Sequence, residues 1–182
     1  MSQFLDLVKK RQSNRKYTEQ PVEKEKLLQC VEAARLAPSA HNIQPWKFIV
    51  VDNMELKNRV AESACDENKS FNKFSSQAPV IVVVTLEQPC STSRSGRSIE
   101  DKEWPLIDIG IAVEHFCLQA SELGLSTCMI GWFYEKLVKE LLDIPEGKDV
   151  ALMISVGYAP DYFGVKEKRR KSTDEVLSYN GY

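Results

Sequence analysis

The sequence predicts a single α/β or α+β domain in which helices surround a small β-sheet. Three observations carry this. Two short runs, residues 46–51 (WKFIVV) and 78–86 (APVIVVVTL), are rich in β-branched residues and read as buried strands. Around them, apolar residues return at the three- and four-residue spacing of amphipathic helices. The chain has 182 residues, 43 % of them hydrophobic, which is enough for one sizeable core.

The elements follow in order. Phe4, Leu5 and Val8 recur at helical spacing, so a first helix runs to about Gln12. A second begins after Pro21 with an apolar stripe of Leu27, Leu28, Val31, Ala34 and Ala37, and Pro38 ends it. Residues 46–51 form a strand, and residues 53–65 a short helix. Residues 78–86 are apolar without interruption, as a central strand covered on both faces must be. Residues 90–102 are polar and read as a surface loop. The helix 108–123 (DIGIAVEHFCLQASEL) is apolar around most of its circumference, which implies burial on several sides, and Gly124 caps it. A strand at 126–130, a helix at 134–142 and a strand at 150–156 complete the domain. A polar, basic tail with aromatic tips runs from Pro160 to Tyr182.

Composition and motifs exclude several functions. The net charge of −2 provides no field for nucleic acid. No apolar run is long enough to span a bilayer, and the N-terminus lacks a signal-peptide h-region, so a cytoplasmic protein is expected. Two histidines and five cysteines without a C-x-x-C pair make a metal site unexpected and all five thiols reduced and structural. The G-x-S-x-G, Walker A and G-x-G-x-x-G motifs are absent.

Three segments stand out. Residues 11–15 (RQSNR) put two guanidiniums and a hydroxyl at a helix end, where they can cap the helix or grip a phosphate. Residues 38–46 (PSAHNIQPW) form a loop pinned by two prolines and dense in amide and hydroxyl groups. Residues 129–133 (MIGWF) place a glycine and two aromatics after a strand. That pattern serves a plain turn or a flat ligand equally well.

Taken together, RQSNR, PSAHNIQPW, residues 108–133 and KEKRRKSTDEVL resemble, in order, the FMN-dependent nitroreductase superfamily. The resemblance spans residues 11 to about 177. It implies an α+β fold with a central mixed β-sheet surrounded by helices and an extended C-terminal tail. It also implies one FMN-binding domain over residues 1–182, whose tail from about 160 wraps a partner subunit. By position, Arg11, Ser13 and Arg15 resemble the N-terminal phosphate and ribityl contacts, and Lys168 and Arg170 the C-terminal contacts to the same phosphate. Pro38, Ser39, Ala40 and Asn42, with Gln44 close by, match a loop that reaches the flavin from the partner. Ile130 and Gly131 match the backbone pair at the reactive edge of the ring. Asn72 matches a contact to the pyrimidine edge. Two features depart from the family pattern: Gln12 stands where a second basic residue is usual, and the chain is short.

The implied activity is that of an NAD(P)H-dependent oxidoreductase, a homodimer. Electrons pass from NADH or NADPH through FMN to a small electron-poor acceptor, a nitroaromatic or quinone, by a ping-pong mechanism. No protein side chain is catalytic, because the cofactor carries the chemistry. The alternative is a flavin carrier or redox sensor without efficient turnover.

Overall fold

The computed structural model describes residues 2–66, 68, 71–87 and 104–182. The loop expected at 90–102, together with Cys90, lies outside the described residues. Six helices appear among those residues: α1 (Gln3–Lys10), α2 (Lys24–Arg35), α3 (Met54–Glu62), α4 (Trp104–Glu122), α5 (Glu135–Leu141) and α6 (Thr173–Val176). The four strands are β1 (Trp46–Val51), β2 (Val80–Leu86), β3 (Ser126–Ile130) and β4 (Asp149–Gly157). The fold is therefore α+β. Asn53 starts α3 by accepting the Leu56 N–H at 3.0 Å, a side-chain cap of the usual kind. Gly124, at φ 79°, closes α4 in the left-handed conformation open to glycine.

The strands lie in the order β1-β2-β4-β3, and every neighbouring pair is antiparallel. The expected mixed character is confined, among the described residues, to one isolated parallel bridge between Ser13 and Thr127. Its physical basis is the open edge of β3, which offers unpaired backbone groups. The segment after α1 takes up part of that edge, and the Asn14 N–H donates to Thr127 O at 2.9 Å.

Alternation along β2 explains its unbroken apolar run. Val82 and Val84 face a core with Leu27, Cys30 and Ala34 of α2 and Val113, Phe116 and Ala120 of α4. Ile81 and Val83 face a second core with Val60 and Ala61 of α3 and Val138 of α5. Helices thus cover the sheet on both sides. In α2 the buried stripe is Leu27, Cys30 and Ala34, whereas Leu28 is 68 % exposed, because helical spacing carries it to the outer face.

α4 also departs from expectation in one respect. One side is fully buried, while Trp104, Leu106, Ile107 and Gly110 are exposed. α1, with exposed Phe4 and Leu5, contains no buried residue. Cys30, Cys117 and Cys128 are buried free thiols, and Cys65 is buried as well. No helix among the described residues is long and apolar enough to cross a membrane.

Candidate functional site

The chain segment after α1 organises one edge of the molecule. Arg11 is extended, and Ser13 pairs with Thr127 of β3. Tyr17 anchors the segment from below. Its buried hydroxyl lies 2.7 Å from Ser155 Oγ and donates to Asn14 O at 2.9 Å, and burial pushes its pKa well above the ordinary tyrosine value.

Arg11, Ser13 and Arg15 share the environment of the buried Cys128 thiol on β3. Burial raises that thiol's pKa, while the Arg15 and Arg11 charges and the Ser13 hydroxyl act in the opposite sense. The Arg15 guanidinium also lies over the Phe74 ring, 5.8 Å from its centroid. Arg11 Nε meets Glu114 Oε1 of α4 at 3.3 Å. A guanidinium carries five N–H donors, so this contact leaves capacity for a further acceptor.

The tail returns to the same place. Lys168 Nζ donates to Val8 O in α1. Its pKa is pushed below the ordinary lysine value, first by desolvation and then by the nearby charges of Arg11 and Arg170; Glu114 works the other way. Lys168, on the tail, thus lies within electrostatic reach both of Arg11 from the other end of the sequence and of Arg170.

Asn72 and the end of β3 also meet. Asn72, at φ 50°, directs Nδ2 to Trp132 O at 3.4 Å. Ile130 is buried and Gly131 is exposed, and a Cβ added at Gly131 would meet nothing within 4 Å. The chain's own packing therefore gives no reason for glycine there, whereas close approach of a flat ligand does. The two aromatics of this segment part company. Phe133 packs on the second core, while exposed Trp132 makes edge contacts with Phe71 at 5.4 Å and Tyr134 at 5.3 Å.

The loop at 38–44 stands apart from this group. It precedes β1, at the opposite sheet edge from β3, and two intervening strands separate the edges by about 14 Å. Its structure is strained: His41, Asn42 and Gln44 all have φ between 52° and 55°. Several bonds hold it so. The Ser39 hydroxyl accepts the Gln44 N–H at 2.9 Å, and Gln44 Nε2 donates to Asn42 O at 3.1 Å. The buried carboxylate of Asp108 accepts the Ala40 N–H at 3.1 and 3.2 Å.

One chain thus brings together Arg11, Ser13, Arg15, Asn72, Ile130, Gly131, Lys168 and Arg170, and leaves Pro38, Ser39, Ala40, Asn42 and Gln44 at the far edge. Sequence reading missed Asp108 and Glu114. An acid on the apolar side of an otherwise hydrophobic helix was the available signal for Asp108. For Glu114 no signal distinguished it from a solvated acid. A cavity of about 150 Å³, lined by Lys10, Arg11, Gln12, Asn14, Phe163 and Val165 among others, borders the same segment. Arg11 thus lines it, whereas Ser13, Arg15, Lys168 and Arg170 do not.

Comparison with known proteins decides the family. Residues 8–158 match the Nitroreductase family. The chain belongs to the Nitroreductase family. The oxygen-insensitive NADPH nitroreductase of Helicobacter acinonychis is 30 % identical, with 81 % of this chain and 80 % of that protein covered. Among solved structures, a nitroreductase family protein from Clostridium novyi NT is similar at 32 % identity and TM-score 0.77, covering 91 % of this chain and 89 % of the other. An FMN-dependent nitroreductase from Clostridium difficile gives 29 % identity and TM-score 0.75, over 98 % of this chain and 99 % of the other.

The grip of Asp108 on this nitroreductase-family loop is open to measurement. Asp108→Ala leaves the Ala40 N–H without its acceptor, a loss of about 1–3 kcal/mol. Hydrogen exchange at the Ala40 amide is expected to rise about tenfold, with β2 amides unchanged. Unaltered exchange at Ala40 would show that the carboxylate does not hold the loop.

Proposed function

We propose that this chain is an FMN-dependent oxidoreductase that passes electrons from NADH or NADPH to an electron-poor small molecule, a nitroaromatic or a quinone. The observation that carries the reading is the convergence of Arg11, Lys168 and Arg170. Three cations from distant segments, with Glu114 among them, form a donor set suited to a phosphate monoester, which is roughly dianionic at neutral pH. Names of relatives point the same way: one is an NADPH nitroreductase and another is FMN-dependent.

In this reading Arg11, Lys168 and Arg170 hold the FMN phosphate, Ser13 and Arg15 follow the ribityl chain, and Asn72 meets the pyrimidine edge. The main chain of Ile130 and Gly131 faces the reactive edge of the ring. Trp132, Phe71 and Tyr134 border the open space at Gly131 as an aromatic wall. FMN, when bound by these residues, would supply the hydride and two-electron chemistry that links NAD(P)H to the acceptor. The protein binds, orients and excludes solvent, and no side chain need act as an acid or base.

Pro38, Ser39, Ala40, Asn42 and Gln44 precede β1, at the opposite sheet edge from β3, and we assign them to the site of a partner subunit in a homodimer. The exposed faces of α1 and α4 support this assembly: Phe4, Leu5, Trp104, Leu106 and Ile107 form apolar surface beside Gly110, where a second helix can approach closely. Exposed Val176, Leu177, Tyr179 and Tyr182 suit a tail that wraps the neighbour. The buried free thiols of Cys30, Cys117 and Cys128 suit a reducing compartment, the cytoplasm.

Three outcomes are expected. Arg11→Ala should weaken FMN binding by about 1.5–3 kcal/mol, the scale of a charged hydrogen bond. Arg170→Ala should behave alike, the two should be non-additive, and riboflavin should be indifferent to both. Fluorescence titration checks this, and unchanged FMN affinity would remove the clamp. Turnover of NADH or NADPH with menadione or a nitrofuran should give parallel double-reciprocal lines. Stoichiometric FMN binding without turnover would instead favour a carrier or sensor. Light scattering should show a dimer that Gly110→Leu converts to a monomer with weakened FMN binding. A wild-type monomer that still holds FMN would refute the two-subunit site.

A further inference from the structure

The one departure from the family's N-terminal pattern, Gln12, has a defined task. Its side-chain Nε2 donates to Gly164 O at 3.1 Å, and its Oε1 accepts the Lys166 N–H at 3.0 Å. One side-chain amide thus satisfies a carbonyl and an N–H two residues apart on the tail backbone. Only an amide side chain presents a donor and an acceptor on one terminal plane in this way. A lysine or arginine has no acceptor for the Lys166 N–H, and a carboxylate has no donor for Gly164 O.

The place of these bonds matters. Arg11 and Gln12 are consecutive residues of the segment after α1. One reaches Glu114 and the cationic cluster; the other grips the tail. Two residues beyond the gripped Lys166 N–H stands Lys168, whose ammonium reaches Val8 O and feels both Arg11 and Arg170. The tail makes few other ties near here. Residues 164–172 belong to no helix or strand, and Lys166 lies over the Phe163 ring at 5.1 Å, a contact within the tail itself. Two cations must nevertheless be kept close to a third against their mutual repulsion.

We infer that Gln12 is a positioning residue for the C-terminal half of the anion clamp: its paired hydrogen bonds to Gly164 and Lys166 set the tail so that Lys168 and Arg170 stand beside Arg11. Gln12 does not touch the ligand in this arrangement. The inference rests on the proposed FMN-phosphate reading, and it would account for a neutral amide at a position next to the cluster, where one more charge would add repulsion.

The test uses the full-length protein and measures the ratio of riboflavin to FMN dissociation constants, which isolates the phosphate's contribution. A merely structural role would move both constants together and leave the ratio alone. Gln12→Met keeps the length and loses both bonds. It is expected to lower the ratio about five- to thirtyfold, as loss of two ordinary hydrogen bonds allows, with riboflavin affinity unchanged. Gln12→Glu, which keeps the acceptor and sets a carboxylate oxygen against Gly164 O, should lower the ratio as well, and guards against misfolding of the first variant. Arg170→Ala added to Gln12→Met should lower the ratio less than twofold further, because the released tail has already lost its place. If Gln12→Met and Gln12→Glu keep the wild-type ratio while Arg170→Ala alone lowers it, the role of Gln12 is overturned and the clamp stands. If Arg170→Ala alone leaves the ratio unchanged, the clamp itself falls and the inference with it.

Discussion

Three positive charges held in a small space set the terms for this structure. Like charges near a protein surface repel, and the ammonium of Lys168 is pushed below its ordinary range first by desolvation and then by the charges of Arg11 and Arg170. Such a cluster persists only if other contacts offset the repulsion. Some of these contacts are internal: Glu114 against Arg11, the Val8 carbonyl on Lys168, and the Gln12 amide across the tail backbone. In the proposed function a bound phosphate monoester, an anion of about two charges, supplies the rest. The fold then has a plain purpose at this edge. Tyr17 and the β3 edge fix the first segment, and the tail is brought back across the whole molecule to meet it.

Helix α4 links the two halves of the proposed site. Its inner side fills the first core through Val113, Phe116 and Ala120. Six residues apart, and so about 9 Å along the axis, Asp108 holds the strained loop at 38–44 and Glu114 holds Arg11. Its remaining side is apolar and exposed. In the proposed dimer this one helix would support the loop given to the partner's flavin, the arginine on its own phosphate, and the contact between them.

Much of the fold was legible because burial writes itself into residue type. β1 and β3 occupy the residues expected, since short β-branched runs between polar turns have few other solutions. β2 was readable as doubly covered because every residue of VIVVV packs on one core or the other. Features that depend on distant partners were not legible. Leu28 belongs to an apolar pattern yet faces outward, because the true stripe passes through Cys30. The strands are antiparallel throughout, and strand direction is set by how connections cross the sheet, which local pattern does not record. In the site, the ordered motifs marked Arg11, Ser13 and Arg15, which surround Cys128, and Lys168 and Arg170, of which Lys168 returns to Arg11; Asn72, matched outside those motifs, meets Trp132 beside Ile130 and Gly131. The left-handed backbone at His41, Asn42 and Gln44, the carboxylates of Asp108 and Glu114, and the two-sided amide of Gln12 emerge only when segments far apart in sequence meet.

The central claim, that Arg11, Lys168 and Arg170 form one cluster completed by a phosphate, is tested most directly by the titration of Lys168 itself. NMR of its side-chain ammonium across alkaline pH, with and without FMN, reports the local field. The account predicts a pKa below the ordinary lysine value in the unliganded protein, raised when FMN binds and also raised when Arg11→Ala removes one neighbouring charge. An ordinary lysine pKa unmoved by FMN and by Arg11→Ala would contradict it.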